Sequence, residues 1–324
     1  MNSLSLTACS FHLKKLNSKN LNGIYYLNKD ITYNNEDDEN KVTSVMEMFS
    51  SFANEYISTE NDNEKQKTFS CKYLENYHFS TDSYICLTYI VKSGYYGSSG
   101  EIFDSETREH KYKMTPKDVV EKPFYVFIII PKDNNKVKVN KGLLIFQNIG
   151  IFGVKTITSD KINEYFTKKY HISMKCATIT PEIFVKKVII KENIKKLIMI
   201  KNHKSSEDTD KYYNGYGTES RIIGNLHFDE TAWGKIFSGI THVIKGKYNL
   251  FEFGNISYDK LKIQVDIGGR SRTIDLNNIE NLSVIEGIPD EIRTADGYAD
   301  LEKLITHTKN VTEEYMKEMV LEIK

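Results

Sequence analysis

The chain has 324 residues, is 40% hydrophobic and 27% charged, and balances 44 basic against 44 acidic side chains. This composition excludes wholesale disorder and suits one large domain or two ordinary ones. The longest apolar run, at residues 125–131, is far too short to cross a bilayer, and residues 1–13 lack a basic stretch followed by an apolar one, so a cytoplasmic protein without a secretory leader is expected.

The charge is unevenly placed. Residues 121–201 hold sixteen lysines, no arginine and six carboxylates, an excess of ten positive charges, while residues 1–120 and 202–324 carry net charges of −4 and −6. Such a segment on a neutral protein points to a polyanionic partner if its cations converge on one surface. The Lys-, Asn- and Ile-heavy vocabulary also fits codon bias from an AT-rich genome, which makes lysine a default surface residue.

In chain order, residues 3–13 read as an opening strand and 34–40 as a polar loop. Apolar residues at Val42, Val45, Met46, Met48, Phe49, Phe52 and Tyr56 recur with a helix period. Strand-like runs follow at 68–77, 84–93 and 101–104. In the second of these, both alternating sets are largely apolar, as in a strand covered on both faces. Gly94-Tyr-Tyr-Gly-Ser-Ser-Gly100 is a turn between strands. Residues 122–131 and 137–146 form an expected hairpin, 159–170 a helix opened by Ser159, 172–178 a strand, 181 onward a short helix, and 194–200 a strand. Residues 233–244 read as helical. Strands 261–266 and 271–276 flank Gly268-Gly269, a pair that takes the positive φ of tight hairpin turns. Two helices are expected at 301–305 and 312–323. Without strict βαβ alternation, the class is α+β: a mixed, mainly antiparallel sheet with flanking helices. Two subdomains are expected, 1–205 and 218–324, joined by a polar, glycine-containing linker at 206–217.

Gly150-Ile-Phe-Gly153-Val-Lys155-Thr156 follows a strand and precedes a helix, the setting of a phosphate-binding loop. That motif requires Gly directly before Lys, with four residues between its glycines. Here Val154 intervenes, the glycines are three apart, and Ile151 and Phe152 would crowd the cradle. A tight turn or bulge is the plainer reading. The remaining one is a loop whose backbone donors meet a sugar-phosphate chain through Gly150, Gly153 and Thr156. A KH module's Gly-x-x-Gly lies between two helices, which this one does not.

Lys186, Lys187, Lys191, Lys195, Lys196 and Lys201 form the densest positive cluster, with Lys155, Lys168 and Lys169 preceding it. Each can neutralise a phosphate and release counterions. Nearby Tyr165, Phe166, Tyr170 and Phe184 could stack on unpaired bases. The plainer account is a solvated helix and a lysine-protected strand edge. The lack of arginine here argues against specific base reading. Tyr95, Tyr96, Ser98 and Ser99 mark either a recognition loop or a hairpin tip.

No catalytic residue, cofactor or metal site is expected. The eight histidines form no H-x-H or H-E-x-x-H pair. Asp266, Asp290 and Glu291 lack the strand context of a metal nuclease, and Glu322-Ile-Lys324 sits at the chain's end. Cys9, Cys71, Cys86 and Cys176 show no C-x-x-C spacing and read as scattered, mostly buried thiols. The leading expectation is a non-catalytic protein that binds DNA, RNA or another polyanion as an accessory subunit of a larger bacterial machine, with anti-phage defence as one setting. The rivals are a protein–protein module or homo-oligomeric scaffold, and a nuclease with a composite site.

Overall fold

The computed structural model describes residues 3–16, 18, 23–34, 40–132, 139–179, 194–202, 219–224, 251–253, 256–258, 260–267, 270–275 and 285–321. They form a mixed α+β protein with a large antiparallel sheet and three α-helices, the class expected from the sequence. The chain divides into two compact units, one of Met1–Ala177 with Ile288–Lys324 and the other of Thr178–Gly287. The end of the chain therefore rejoins its beginning. The linker expected at 206–217 and the helices expected after Pro181 and at 233–244 lie outside the described residues.

The first unit contains β1 (Leu4–Lys15), β2 (Ile31–Asn34), β3 (Asn40–Thr43), α1 (Val45–Glu55), β4 (Glu60–Asp62), β5 (Lys67–Tyr73), β6 (Phe79–Ser80), β7 (Tyr84–Ser93), β8 (Gly100–Phe103), β9 (His110–Met114), β10 (Lys122–Pro131), β11 (Gly142–Ile149), β12 (Phe152–Gly153), α2 (Lys155–Tyr170), β13 (Ile172–Thr178) and α3 (Leu301–Leu321). The sheet runs β13-β1-β11-β10-β7-β5-β4, with β12 beside β11 and β6 beside β7. One row of partners, Thr7–Phe146–Val126–Tyr89–Tyr73, crosses five strands and marks one face.

That face carries α1 and α2. Phe11 meets Phe49 edge-on at 5.5 Å, Phe49 lies 5.0 Å from Phe166, and Phe52 sits 6.3 Å from Phe69 and 5.9 Å from Tyr165. The opposite face carries α3. Lys309 Nζ stands 4.8 Å over the Phe79 ring, and burial together with Glu313 pushes the Tyr84 hydroxyl up to about 12. The two-faced reading of residues 84–93 is thereby explained: Tyr84, Cys86 and Thr88 are buried under one layer, and Leu87, Tyr89 and Val91 under the other.

Local sequence accounts for the helix limits. Glu47 N–H donates to Ser44 Oγ (3.2 Å) while Ser44 N–H donates to Glu47 Oε2 (2.9 Å), a reciprocal cap that starts α1. Helix α2 begins four residues before the expected Ser159, at Lys155, because buried Val154 occupies the cap position without any side-chain cap bond. Helix α3 is one helix, not two. Thr308 and Thr312 lie fully buried on its inner face, and those hydroxyls interrupted the apolar period.

In the second unit, β14 (Ile194–Asn202), β15 (Glu219–Gly224), β18 (Lys260–Ile267) and β19 (Arg270–Asp275) form an antiparallel sheet in the order β15-β14-β18-β19. A hairpin of β16 (Phe251–Phe253) and β17 (Ile256–Tyr258) accompanies it. The strands that flank Gly268-Gly269 pair antiparallel, with Ile267 opposite Arg270.

Phe49 is fully buried between the sheet and α2. Phe49→Ala is expected to cost about 3–5 kcal/mol through lost transfer energy and a residual cavity. Urea denaturation should show the loss as a lower midpoint at an unchanged m-value.

Candidate nucleic-acid interface

Two loops that the sequence flags separately meet at one end of the large sheet. Lys67, at the start of β5, bridges to Tyr95 just beyond β7, and Ser93 pairs with Lys122 at the start of β10. Lys67 Nζ lies 4.5 Å from the Tyr95 ring centre and Lys122 Nζ 3.9 Å from that of Phe152. The two rings are 6.5 Å apart and inclined at 54°. The result is a row of lysine, tyrosine, phenylalanine and lysine. Tyr95 is 55% exposed, and Ile151 beside it in sequence to Phe152 is 83% exposed. Among the described residues neither Lys67 nor Lys122 forms an ion pair, in contrast to Lys65 and Lys161 nearby.

The row is held by backbone bonds. Thr68 N–H donates to the Gly94 carbonyl (2.9 Å), and Gly94 N–H donates to Thr68 Oγ1 (3.1 Å). Tyr96 N–H donates to the Gln66 carbonyl (3.2 Å), and its hydroxyl donates to Asn63 Oδ1 (2.8 Å). Gly94 is required by close approach, since a Cβ there would stand 2.4 Å from the Val120 carbonyl oxygen. Of the four flagged loop residues, Tyr96 is thus structural, Tyr95 is presented outward, and Ser98 and Ser99 are exposed.

The segment at 150–156 is a hairpin tip followed by a helix. Ile149 pairs with Phe152 across a two-residue turn, with Gly150 at φ 61°. Positive φ at the first central position alone is the pattern of a type II′ turn. Gly150 N–H donates to the Ser3 carbonyl (2.7 Å), so this donor is already engaged. Gly153 pairs with Asn148, Lys155 opens α2, and Thr156 is exposed in its first turn. The turn brings the Phe152 ring beside that of Tyr95. Phe152 counted against this loop as a phosphate site, yet it is the residue that joins the two loops. Lys67 had no distinguishing signal in the sequence.

The predicted lysines fare differently. Lys168 and Lys169 stand exposed in the last turn of α2, where cations complement the carbonyl end of the helix. Lys169 Nζ also donates to the Tyr165 hydroxyl (2.7 Å). Tyr165, Phe166 and Tyr170 are buried in the core, out of reach of a base. Lys195, Lys196 and Lys201 lie along β14 in the second unit, and Lys186, Lys187 and Lys191 are outside the described residues. Two lysines of the basic segment, Lys141 and Lys175, do gather with one other, Lys14. Lys141, Lys14 and Lys175 surround half-buried His12, and burial followed by these three cations holds the His12 imidazole below its ordinary value.

Among the described residues, no group of three metal-ligating side chains occurs, and no helix is long and apolar enough to cross a membrane. Asp290, weighed above as a metal ligand, lines a recess of about 650 Å³ with Ser3, Arg293, Thr294 and Ala295. Its carboxylate, almost fully exposed, lies 3.5 Å from the Arg293 guanidinium. Glu291 is exposed, Asp266 lies on β18, and Glu322 and Lys324 are outside the described residues. No protein-family model, curated protein or solved structure matches this chain.

The His12 and His307 imidazoles are both held low in the fold, by burial first in each case. The unfolded chain then binds more protons as acidity rises, so stability falls as pH drops below the ordinary histidine value of about 6.5. Urea titrations between about pH 7 and pH 5 should show this decline, and His12→Gln should make it shallower while His307 sustains the rest.

Proposed function

We propose that this protein binds single-stranded nucleic acid, without catalysing a reaction on it, through the row Lys67–Tyr95–Phe152–Lys122. The supporting observation is the pairing of two neighbouring aromatic rings, 6.5 Å apart, with two lysines that no carboxylate engages among the described residues. Bases offer a π-face to any exposed ring, and backbone phosphates pair with flanking ammonium groups whatever the sequence. Ile151 and Val120 add exposed apolar surface beside the rings. With no arginine in the row, the reading is one of sequence-tolerant contact.

A second reading rests on the β8–β9 hairpin, which carries Ile102, Phe103 and Tyr112 at 40, 48 and 50% exposed. Apolar side chains exposed together on a hairpin suit a protein partner or a second copy of the chain.

Fluorescence anisotropy with labelled oligonucleotides separates the two. Wild-type protein is expected to bind single-stranded probes in preference to duplex, with affinity falling steeply in salt. Tyr95→Ala should weaken binding by about 1–3 kcal/mol. Lys67→Ala with Lys122→Ala should lower the salt slope by about two. All three side chains are exposed or half-buried, so the fold should survive. Absence of binding at low salt overturns the proposal, and concentration-dependent dimerisation without such binding supports the hairpin reading.

A further inference from the structure

Strands β1 and β13 are neighbours at the margin of the large sheet. Leu16 N–H donates to the His171 carbonyl (3.0 Å), and Ser10 Oγ donates to the Ala177 carbonyl (3.3 Å). As one residue number rises the other falls by the same step, which defines an antiparallel register with Phe11 opposite Cys176. Cys9, two positions from Phe11, is then the diagonal neighbour of Cys176 on the same face. This is the face of α2, where Cys176 Sγ lies 3.9 Å from Ser159 Oγ. Lys155 is one helical turn before Ser159. Cys9 is fully buried and Cys176 exposed, and both are free thiols.

We propose that Cys176 and Cys9 form a peroxide-responsive thiol pair, with Cys176 as the attacking thiolate and Cys9 as the resolving thiol. Interaction between these neighbouring thiols lowers Cys176 and raises Cys9. The Ser159 hydroxyl and the Lys155 ammonium also favour the Cys176 thiolate, against its partial burial. Asp160 opposes them, but a sulfur on an exposed residue beside a hydroxyl is the one that oxidants find first. The Cys176 thiolate attacks one peroxide oxygen, the O–O bond breaks, and hydroxide leaves to take a proton from solvent. Sulfur is oxidised to sulfenic acid and peroxide is reduced. The Cys9 sulfur then attacks the Cys176 sulfur. An S–S bond forms, the S–O bond breaks, and the hydroxyl departs as water with the Cys9 proton. Because β13 is the sheet's marginal strand, it can approach β1 by the distance the new bond requires. The bridge would fasten β13 to β1 just before Thr178, where the chain passes into the second unit.

Cys71 and Cys86 serve as internal controls, buried and pushed upward by burial, Cys71 to about 12. Full-length protein is treated with hydrogen peroxide, quenched with an alkylating agent and digested for mass spectrometry. A cross-linked peptide joining Cys9 to Cys176 is expected, and it should vanish in Cys176→Ser. Cys176 should alkylate about tenfold faster than Cys71 in the folded protein. Lys155→Gln should slow that reaction. Cys9→Ala should leave a sulfenic acid on Cys176 that dimedone traps. If Cys9→Ala does not fold, judged by circular dichroism, the wild-type cross-link and alkylation rates still decide. A persistent Cys176 sulfenic acid in wild-type protein, a Cys176–Cys176 dimer in its place, or equal reactivity of Cys176 and Cys71 would each overturn the proposal.

Discussion

Burial of both faces of the central strands governs how this chain is laid out. In β1, β11, β10 and β7, neighbouring residues point to opposite sides, yet nearly all are excluded from water. A two-faced apolar sheet is stable only when each face has its own cover. Helices α1 and α2 arise between strands and cover one face through Phe49, Phe52 and Phe166. No described helix before residue 288 covers the other, so the chain must return with α3 from its far end. The second unit is in consequence an insertion between β13 and that return. Inside the sheet, Gln147, 1% exposed, accepts the Tyr125 N–H at its Oε1 (3.0 Å).

With both faces occupied, functional side chains are left to the ends and margins of the sheet. The Lys67–Tyr95–Phe152–Lys122 row lies at an end, where the chain leaving β7 bridges to the start of β5 and the β11–β12 turn folds back. The thiol pair lies at a margin. Each is assembled from segments far apart in sequence, and each is fixed by backbone pairing that the core already stabilises. The loop that presents Tyr95 is tied to Thr68, Gln66 and Pro116, so little ordering entropy would oppose the proposed contact.

The fold was legible wherever burial itself wrote the pattern. Residues 122–131 form β10 with the expected bounds, and 84–93 form β7, because strands buried on both sides are apolar at every position. Helix limits were less legible where the deciding group was not a conventional cap, as at Val154, or where buried hydroxyls imitate a polar face, as at Thr308 and Thr312. The site was half legible. Tyr95 and the Gly150–Gly153 turn were visible as loops, but their meeting depends on strand order, which one sequence does not encode locally. Cys9 and Cys176, 167 residues apart, approach only through the β1–β13 pairing, so spacing carried no trace of them.

The lysine excess shows why a charge count along a chain differs from a charge on a surface. A strand carries its ends far apart: β10 sets Lys122 at one end of the sheet and Lys132 just past the other. A helix distributes its cations by dipole and by pairing. On α2, Lys161 is engaged by Glu60 and Glu164, while Lys168 and Lys169 offset the carbonyl end. The acids that pair with these lysines come partly from the acidic N-terminal flank, so the asymmetry between segments is diluted by folding. What persists is local and small in number: two lysines against two rings at one end of the sheet. For the proposed ligand, a surface of that size would suit a flexible strand better than a rigid duplex, which needs a broad field.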